Sequence, residues 1–327
     1  VAEWLYEDGI GENRAILIED GDIVAAEVER DSGLRVGTIA EARLIDADPR
    51  SGGVVRFADD HEAVVARVPA GISIGASLAV EVTREAMPEP GKIKRAVARA
   101  SDEAPRTAPS LYERIVASDA PVIRSSAHEA ADRFEDAGWS ELLDEAATGE
   151  IAFTRGALRI SLTPAMTLID IDGAAGDAYA LATAGIEAAA RAIVRMDITG
   201  SIGIDLPTVA DRTQRLALAD ALDAIVPQPF ERTAVNGFGF LQLVRRRVRP
   251  SLAELMQYRP VESAALALLR RAERSRGSGP ARLVAAPPVA AWLEGRAMLV
   301  DQLAQRLGRS VVIASGQGEG LDGGYVE

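Results

Sequence analysis

Hydrophobic and polar positions alternate with two different periods along this chain, and the switches between them mark its organisation. Residues 14–18 and 23–29 are apolar-rich runs of strand length on either side of Glu19-Asp20-Gly21-Asp22. An Asp-Gly step between two such runs predicts a β-hairpin. From 37 to about 97 the apolar runs stay short, at 38–45, 53–57, 63–68 and 78–82. Turn clusters such as Asp48-Pro49-Arg50-Ser51-Gly52-Gly53 and Pro69-Ala70-Gly71 separate them. Short strands at that spacing predict a small barrel or sandwich.

Residues 101–109 are polar and proline-containing and read as a linker. Residues 110–148 read as helical from the spacing of Leu111, Ile115, Phe134, Leu142 and Leu143. The pattern then becomes α/β, with strands expected at 157–162, 166–172, 201–206 and 233–244. Helices are expected at 183–197 and 207–225, the second with Pro207 at a helix-starting position. A last α/β piece follows: helix 261–274, strand 282–285, helix 289–307 and strand 310–314. The glycine-rich stretch 316–324 reads as mobile, and its Gly316-Gln317-Gly318-Glu319-Gly320 neither follows a strand nor opens a helix as a phosphate loop would.

Length and composition bound the chemistry. A chain of 327 residues suggests two compact units, or one unit split by an insertion. Apolar residues at 48% and charged residues at 26% suit a soluble chain able to bury a core. No apolar run approaches a membrane helix, and residues 1–9 are acidic. The expectation is no membrane span, no secretory signal and a cytoplasmic location. Cysteine is absent, which excludes disulfides, zinc-thiolate sites and thiol catalysis. With His61 and His128 the only histidines, a multi-histidine site is disfavoured too, so any metal is expected on carboxylates. His61 reads as a turn residue and His128 as a surface residue.

Acidic residues outnumber basic ones by 49 to 36, for a formal charge of −13, which disfavours a broad nucleic-acid-binding surface. The average conceals clusters, however. Lys92 and Lys94 are the only lysines, and arginines gather at 245–249 and 270–282. The second cluster reads as a solvated helix end and loop.

The most informative run is Met166-Thr167-Leu168-Ile169-Asp170-Ile171-Asp172. Side chains alternate along a strand, so Asp170 and Asp172 project from one face and Ile169 and Ile171 from the other. Ser201-Ile202-Gly203-Ile204-Asp205-Leu206 again ends an apolar strand on a carboxylate. If the two strands are neighbours, Asp170 and Asp205 meet at one edge of the sheet. Carboxylates gathered there make a hard oxygen site suited to Mg²⁺ or Mn²⁺, able to activate water and polarise a phosphodiester. The competing reading is that each aspartate caps a turn or the next helix. Arg245, Arg247 and Arg249 would share one face of a strand running back towards this site. They either grip a backbone phosphate or form a solvated basic strand end.

The residues between 162 and 252 resemble the catalytic core of the RNase E/G endoribonucleases. The family strand Ile-Asp-(Ile/Val)-Asn is similar to Ile169-Asp170-Ile171-Asp172, and its Asn-Leu-Glu-Ala-Ala helix to Gly185-Ile186-Glu187-Ala188-Ala189. Its Gly-Gly-(Leu/Ile)-Ile-Val-Ile-Asp-Phe strand resembles Gly200-Ser201-Ile202-Gly203-Ile204-Asp205-Leu206, and Arg-x-Gln-Arg appears as Arg212-Thr213-Gln214-Arg215. The closing Phe-Gly-Leu strand with its Arg-x-Arg-x-x-Pro-Ser-Leu tail resembles Phe238-Gly239-Phe240-Leu241-Gln242-Leu243 and residues 245–252.

This resemblance implies an α/β fold: an RNase H-like core (an N-terminal hairpin at 1–34 and a catalytic part at 101–252), an inserted OB-like β-barrel for RNA binding at 35–100, and a C-terminal α/β small domain at 253–327. It implies Mg²⁺-dependent hydrolysis of single-stranded RNA, with Asp170 and Asp205 holding the ion (Mg²⁺ or Mn²⁺) and Asp172 assisting. Lys94, in Gly91-Lys92-Ile93-Lys94-Arg95-Ala96, becomes a candidate RNA contact. The departures matter as well. No Cys-Pro-x-Cys link lies between 252 and 261, so no zinc and no zinc-linked oligomer is expected. The region 105–150 is too short for the family's 5′-end sensor. The family's Asn is Asp172, the second aspartate is missing after Asp205, and Asn236-Gly237 replaces Ser-Arg. The alternative implied by those losses is a catalytically weakened RNA-binding or ribosome-associated protein.

Overall fold

The computed structural model describes residues 1–31, 33–48, 52–129, 131–174, 176–316 and 320–327. The chain divides into two compact units. One comprises Val1–Asp31, Leu111–Ala147 and Leu255–Glu327, and the other Ser32–Ser110 and Thr148–Glu254. Both belong to a mixed α/β architecture, and no helix among the described residues is long and apolar enough to cross a membrane.

The first unit holds two sheets. In the four-stranded one, Glu3–Glu7, Glu12–Glu19 and Asp22–Arg30 run antiparallel, and Val122–Ser125 adds parallel to Glu3–Glu7. The hairpin turns through Asp20 and Gly21, both at positive φ, as Asp-Gly favours. The region 110–148 is therefore not wholly helical: a strand separates Leu111–Val116 from the helices Arg133–Asp136 and Trp139–Thr148. The second sheet, formed by Val311–Ser315, Ala281–Ala285 and Tyr325–Val326, packs with helix Pro260–Glu273 around Leu266, Leu269, Leu283 and Leu303. The helix expected over 289–307 is two helices, Pro287–Glu294 and Ala297–Leu307. Within 316–324, Leu321–Gly323 forms a 3₁₀ turn whose Leu321 packs on this core, while residues 317–319 lie outside the described residues.

Charged side chains are buried in this unit. Arg14 is 1% exposed; its Nε donates to Glu7 at 2.6 Å and its guanidinium lies 3.9 Å from the Phe134 ring centre. Arg270 is not the solvated residue expected from its cluster, because it is buried and bonded to Glu12. Arg274 bonds to Glu7 and, at 2.6 Å, to Asp132. Burial, and then the like charge of Arg270, lowers the Arg14 pKa to about 10, against the opposing pull of Glu7.

The second unit contains a closed five-stranded barrel, in the order Ala96–Ala100, Glu62–Val65, Gly52–Arg56, Ile39–Asp48 and Ser77–Arg84. Alternate residues point inward, so Leu44, Val55, Val65, Val80 and Val82 fill the interior with Phe57. Part of the expected turn at 48–53 lies outside the described residues. Met87–Glu89 and Lys92–Lys94 form a separate two-stranded ribbon.

The rest of this unit is a six-stranded sheet, in the order Glu150–Phe153, Gly156–Leu162, Thr167–Gly173, Gly200–Asp205, Phe240–Arg245 and Phe230–Arg232. The hairpin at 1–34 and the aspartate-bearing strands, read from sequence as one core, thus lie in different sheets. Thr167–Gly173 and Gly200–Asp205 are parallel and joined by the crossover helix Ala178–Arg195. Ile169, Ile171, Ile202 and Ile204 are buried, as are Ile186 and Ala189 of that helix. Ile171 lies so close over Gly185 that a Cβ there would stand 2.4 Å from it.

Two expected elements change here. The helix after Asp205 is Arg212–Asp223 and does not start at Pro207; the Asp211 carboxylate caps it, accepting from Gln214 N at 2.8 Å. The single strand expected over 233–244 is replaced by the short strand Phe230–Arg232 and the strand Phe240–Arg245, with a tight turn at Asn236 to Gly239 between them.

Candidate functional site

Asp170 and Asp205 are direct register partners in adjacent parallel strands. Strands in a sheet lie about 4.8 Å apart, and residues in parallel register point to the same side. Because Ile169, Ile171 and Ile204 are buried, both aspartates stand on the other face of the sheet, Asp170 half-buried and Asp205 exposed. Asp172 shares that face two residues further along, and is exposed at the strand end. On the same face Leu168 and the Phe240 ring close over Gly203, where a Cβ would stand 2.5 Å from Phe240 Cζ. A larger residue there would have to displace the ring.

The electrostatics follow from this placement. Burial raises the Asp170 pKa first, and the charges of Asp172 and Asp205 raise it further. Arg159, the partner of Asp170 on the antiparallel side, opposes the rise, but its own ion pair is with Glu150 at 3.7 Å. The site is thus a concentration of negative charge with Arg159 at its border. Among the described residues, no group of three or more His, Cys, Asp and Glu side chains is gathered closely enough to hold a metal. Asp170 and Asp205 supply two hard oxygen donors side by side. That set fits Mg²⁺, which keeps several of its waters and commonly takes one or two carboxylates together with substrate phosphate.

The end of the sheet next to Asp205 is shaped by two loops. Asn236 Oδ1 accepts from Phe238 N at 2.9 Å and Phe240 N at 3.1 Å, and Gly239 O accepts from Leu206 N at 3.1 Å. Gly239 has φ +92°, and a Cβ there would stand 2.2 Å from Leu206 O, so no other residue fits without displacing the backbone. The strand expected over 233–244 crosses this turn. The local signal for the turn is Asn236-Gly237, a turn dipeptide between apolar residues.

The basic residues expected at this site are elsewhere. Phe240 pairs with Asp205 and Arg245 with Gly200, so the strand runs away from the carboxylates and places Arg245 at its far end, about 17 Å on at strand spacing. There Arg245 donates to Ile198 O at 2.7 Å and pairs with Asp197 at 3.5 Å, while Arg247 is bonded to Glu254. Arg249 is half-buried in the segment that follows. Arg245 and Arg247, both by Gly200, therefore form no phosphate grip beside the aspartates. Lys94 is exposed on its ribbon and pairs with Glu89 at 3.1 Å. On the barrel, a hollow of about 510 Å³ is lined by Glu41, Arg43, Arg56, Phe57 and Ser77, two arginines against one glutamate, with Arg56 also bonded to Glu62. His61 contacts Asp59 at 3.0 Å in a turn, and His128 is exposed.

Scans of the chain against protein-family models and against curated proteins find no match.

Proposed function

We propose that this protein is a metal-dependent endoribonuclease of the RNase E/G type, hydrolysing single-stranded RNA at the carboxylate pair. The observation that carries this reading is the register pairing of Asp170 with Asp205, two acidic side chains from strands 35 residues apart brought side by side on an open sheet face. The RNase H-like reading covers the hairpin at 1–34 and the aspartate-bearing part at 101–252, and the OB-like, RNA-binding reading the five-stranded barrel.

In this mechanism Asp170 and Asp205 would hold Mg²⁺ or Mn²⁺, which would lower the pKa of water and polarise a phosphoryl oxygen. The raised pKa of Asp170 marks a carboxylate that gains from a nearby cation. Asp172, on the same face, accepts a proton from the attacking water. The water oxygen bonds to phosphorus as the bond to the 3′-oxygen breaks, and the leaving oxygen takes up a proton from solvent. The products carry a 5′-phosphate and a 3′-hydroxyl. With a formal charge of −13, the protein repels RNA at long range, so association depends on divalent cations and on local contacts.

The test is incubation of purified protein with end-labelled single-stranded RNA and Mg²⁺. Cleavage abolished in the Asp170→Asn/Asp205→Asn double variant supports the reading; cleavage retained in that variant overturns it. A second reading is favoured by the displaced arginines and the two-carboxylate site: an RNA-binding or ribosome-associated protein with weakened catalysis. Salt-dependent RNA binding without Mg²⁺-dependent cleavage selects it.

A further inference from the structure

The turn beside Asp205 carries the most exposed aromatic residue among the described residues. Phe238 is 86% exposed, whereas Tyr325, the next, is 43% exposed. A lone exposed apolar side chain is ordinary; one held out by an ordered turn at a charged site is not. The turn that presents Phe238 is fixed at several points. Asn236 Oδ1 accepts from the Phe238 amide, Asn236 O accepts from Gly239 N at 3.2 Å, and Phe240 O accepts from Asn236 N at 3.0 Å. Phe238 O in turn accepts from Thr208 Oγ1, in the loop that follows Asp205, at 3.4 Å. The backbone of Phe238 is therefore tied to both loops at the carboxylate end of the sheet.

A second ring marks the same place. Phe240, the register partner of Asp205, lies across Gly203 on the carboxylate face, with Leu168 beside it. The carboxylates are thus bordered on one side by an apolar floor and by a protruding ring. A phosphodiester held at Asp170 and Asp205 has its flanking bases within a few ångströms of the phosphate. The flat faces of those bases are the part of RNA that an aromatic ring recognises, whatever the sequence. Arg245 and Arg247 lie at the far end of the sheet, and the cation bordering the carboxylates is Arg159, beside Asp170; a protruding ring adds a stacking surface to that charge contact.

We propose that Phe238 is a base-stacking platform that seats a nucleobase next to the scissile phosphate. This rests on the RNA-hydrolase reading and adds to it the group that positions the strand. The ring contacts substrate and takes no part in proton or metal chemistry. Its contribution is to strand affinity and register, and so mainly to KM.

The experiment compares wild type with Phe238→Ala, Phe238→Leu and Phe238→Trp on single-stranded RNA oligonucleotides in Mg²⁺. Binding is measured in parallel by fluorescence anisotropy with Ca²⁺ in place of Mg²⁺, and a matched set of oligonucleotides carries one abasic site at each position in turn. The exposed position makes all three variants fold as wild type, checked by unchanged thermal unfolding. The expected result is a loss of about 5- to 150-fold in affinity for Phe238→Ala and Phe238→Leu, with Phe238→Trp close to wild type. In wild type, one abasic position beside the cut lowers affinity by a similar factor; in Phe238→Ala that position has no further effect. Equal affinity of all variants for intact and abasic RNA overturns the platform. If cleavage is then still abolished by Asp205→Asn, the hydrolase reading stands without it. Absence of RNA binding by the wild type overturns both. Ring-dependent binding without Mg²⁺-dependent cleavage supports the platform and removes the hydrolase.

Discussion

Asp170 and Asp205 stand side by side in parallel register, and no arginine, lysine or histidine among the described residues forms an ion pair with either. Elsewhere in the protein, carboxylates with comparable or greater burial are neutralised. Glu7, Glu12 and Glu262 each have arginine partners. A half-buried carboxylate beside two others and without such a partner raises the free energy of the folded state whenever it is ionised. A bound cation reverses that effect.

Divalent cations should therefore stabilise the second unit. At Mg²⁺ or Mn²⁺ well above the dissociation constant, Tm is expected to rise by several degrees. The rise should vanish in Asp170→Asn/Asp205→Asn. Differential scanning calorimetry with and without EDTA checks it, and an equal rise in the double variant would remove the site.

The pH dependence of Asp170→Asn has a defined sign. The folded Asp170 carboxyl is held above its ordinary value, chiefly by burial and then by Asp172 and Asp205. Its favourable contribution is full below the ordinary aspartate value and is lost as pH rises through the folded value. Asp170→Asn is accordingly expected to raise Tm at pH 7 in EDTA and to leave it nearly unchanged at about pH 3. A variant less stable than wild type at pH 7 would contradict this.

Gly239→Ala tests the turn that presents Phe238. Positive φ and the approach to Leu206 O together predict a loss of about 2 kcal/mol or more in urea unfolding. RNA cleavage should fall with it, since the turn sets the edge of the site. An alanine variant as stable as wild type would mean the turn tolerates another backbone path.

Arg14→Met tests the buried ion network of the first unit. Arg14 and Glu7 have side chains 2% and 4% exposed, and removing one member leaves the other charge buried. The expected cost is about 3 kcal/mol or more, reduced if Arg274 alone suffices to neutralise Glu7. Chemical denaturation of wild type and variant measures it.

Much of this architecture was legible in the chain. The alternation of isoleucine with aspartate through 169–172 and 202–205 placed the acidic residues on one face, and the hairpin at Asp20-Gly21 and the short barrel strands followed from local signals. What escaped reading depends on non-local partners or on backbone exceptions. Apolar residues flank the Asn236 turn on both sides, at Val235, Phe238 and Phe240, and hide it, and apolar spacing likewise continues across Gly295 and Arg296 between two helices. The burial of Arg270 depends on Glu12, 258 positions earlier, and no local pattern reports such a pair. The direction of the strand Phe240–Arg245 decides that Arg245 lies away from the carboxylates; that direction is a property of the sheet, not of the segment.

Direct observation of metal binding at the carboxylate pair tests the account most sharply. Mn²⁺ titrated into the RNA-free protein and followed by electron paramagnetic resonance should show a site present in wild type. Asp170→Asn and Asp205→Asn should each weaken it strongly, and the double variant should weaken it little further, as expected of two ligands to one ion. Mn²⁺ binding identical in wild type and all three variants would show that the two aspartates hold no ion.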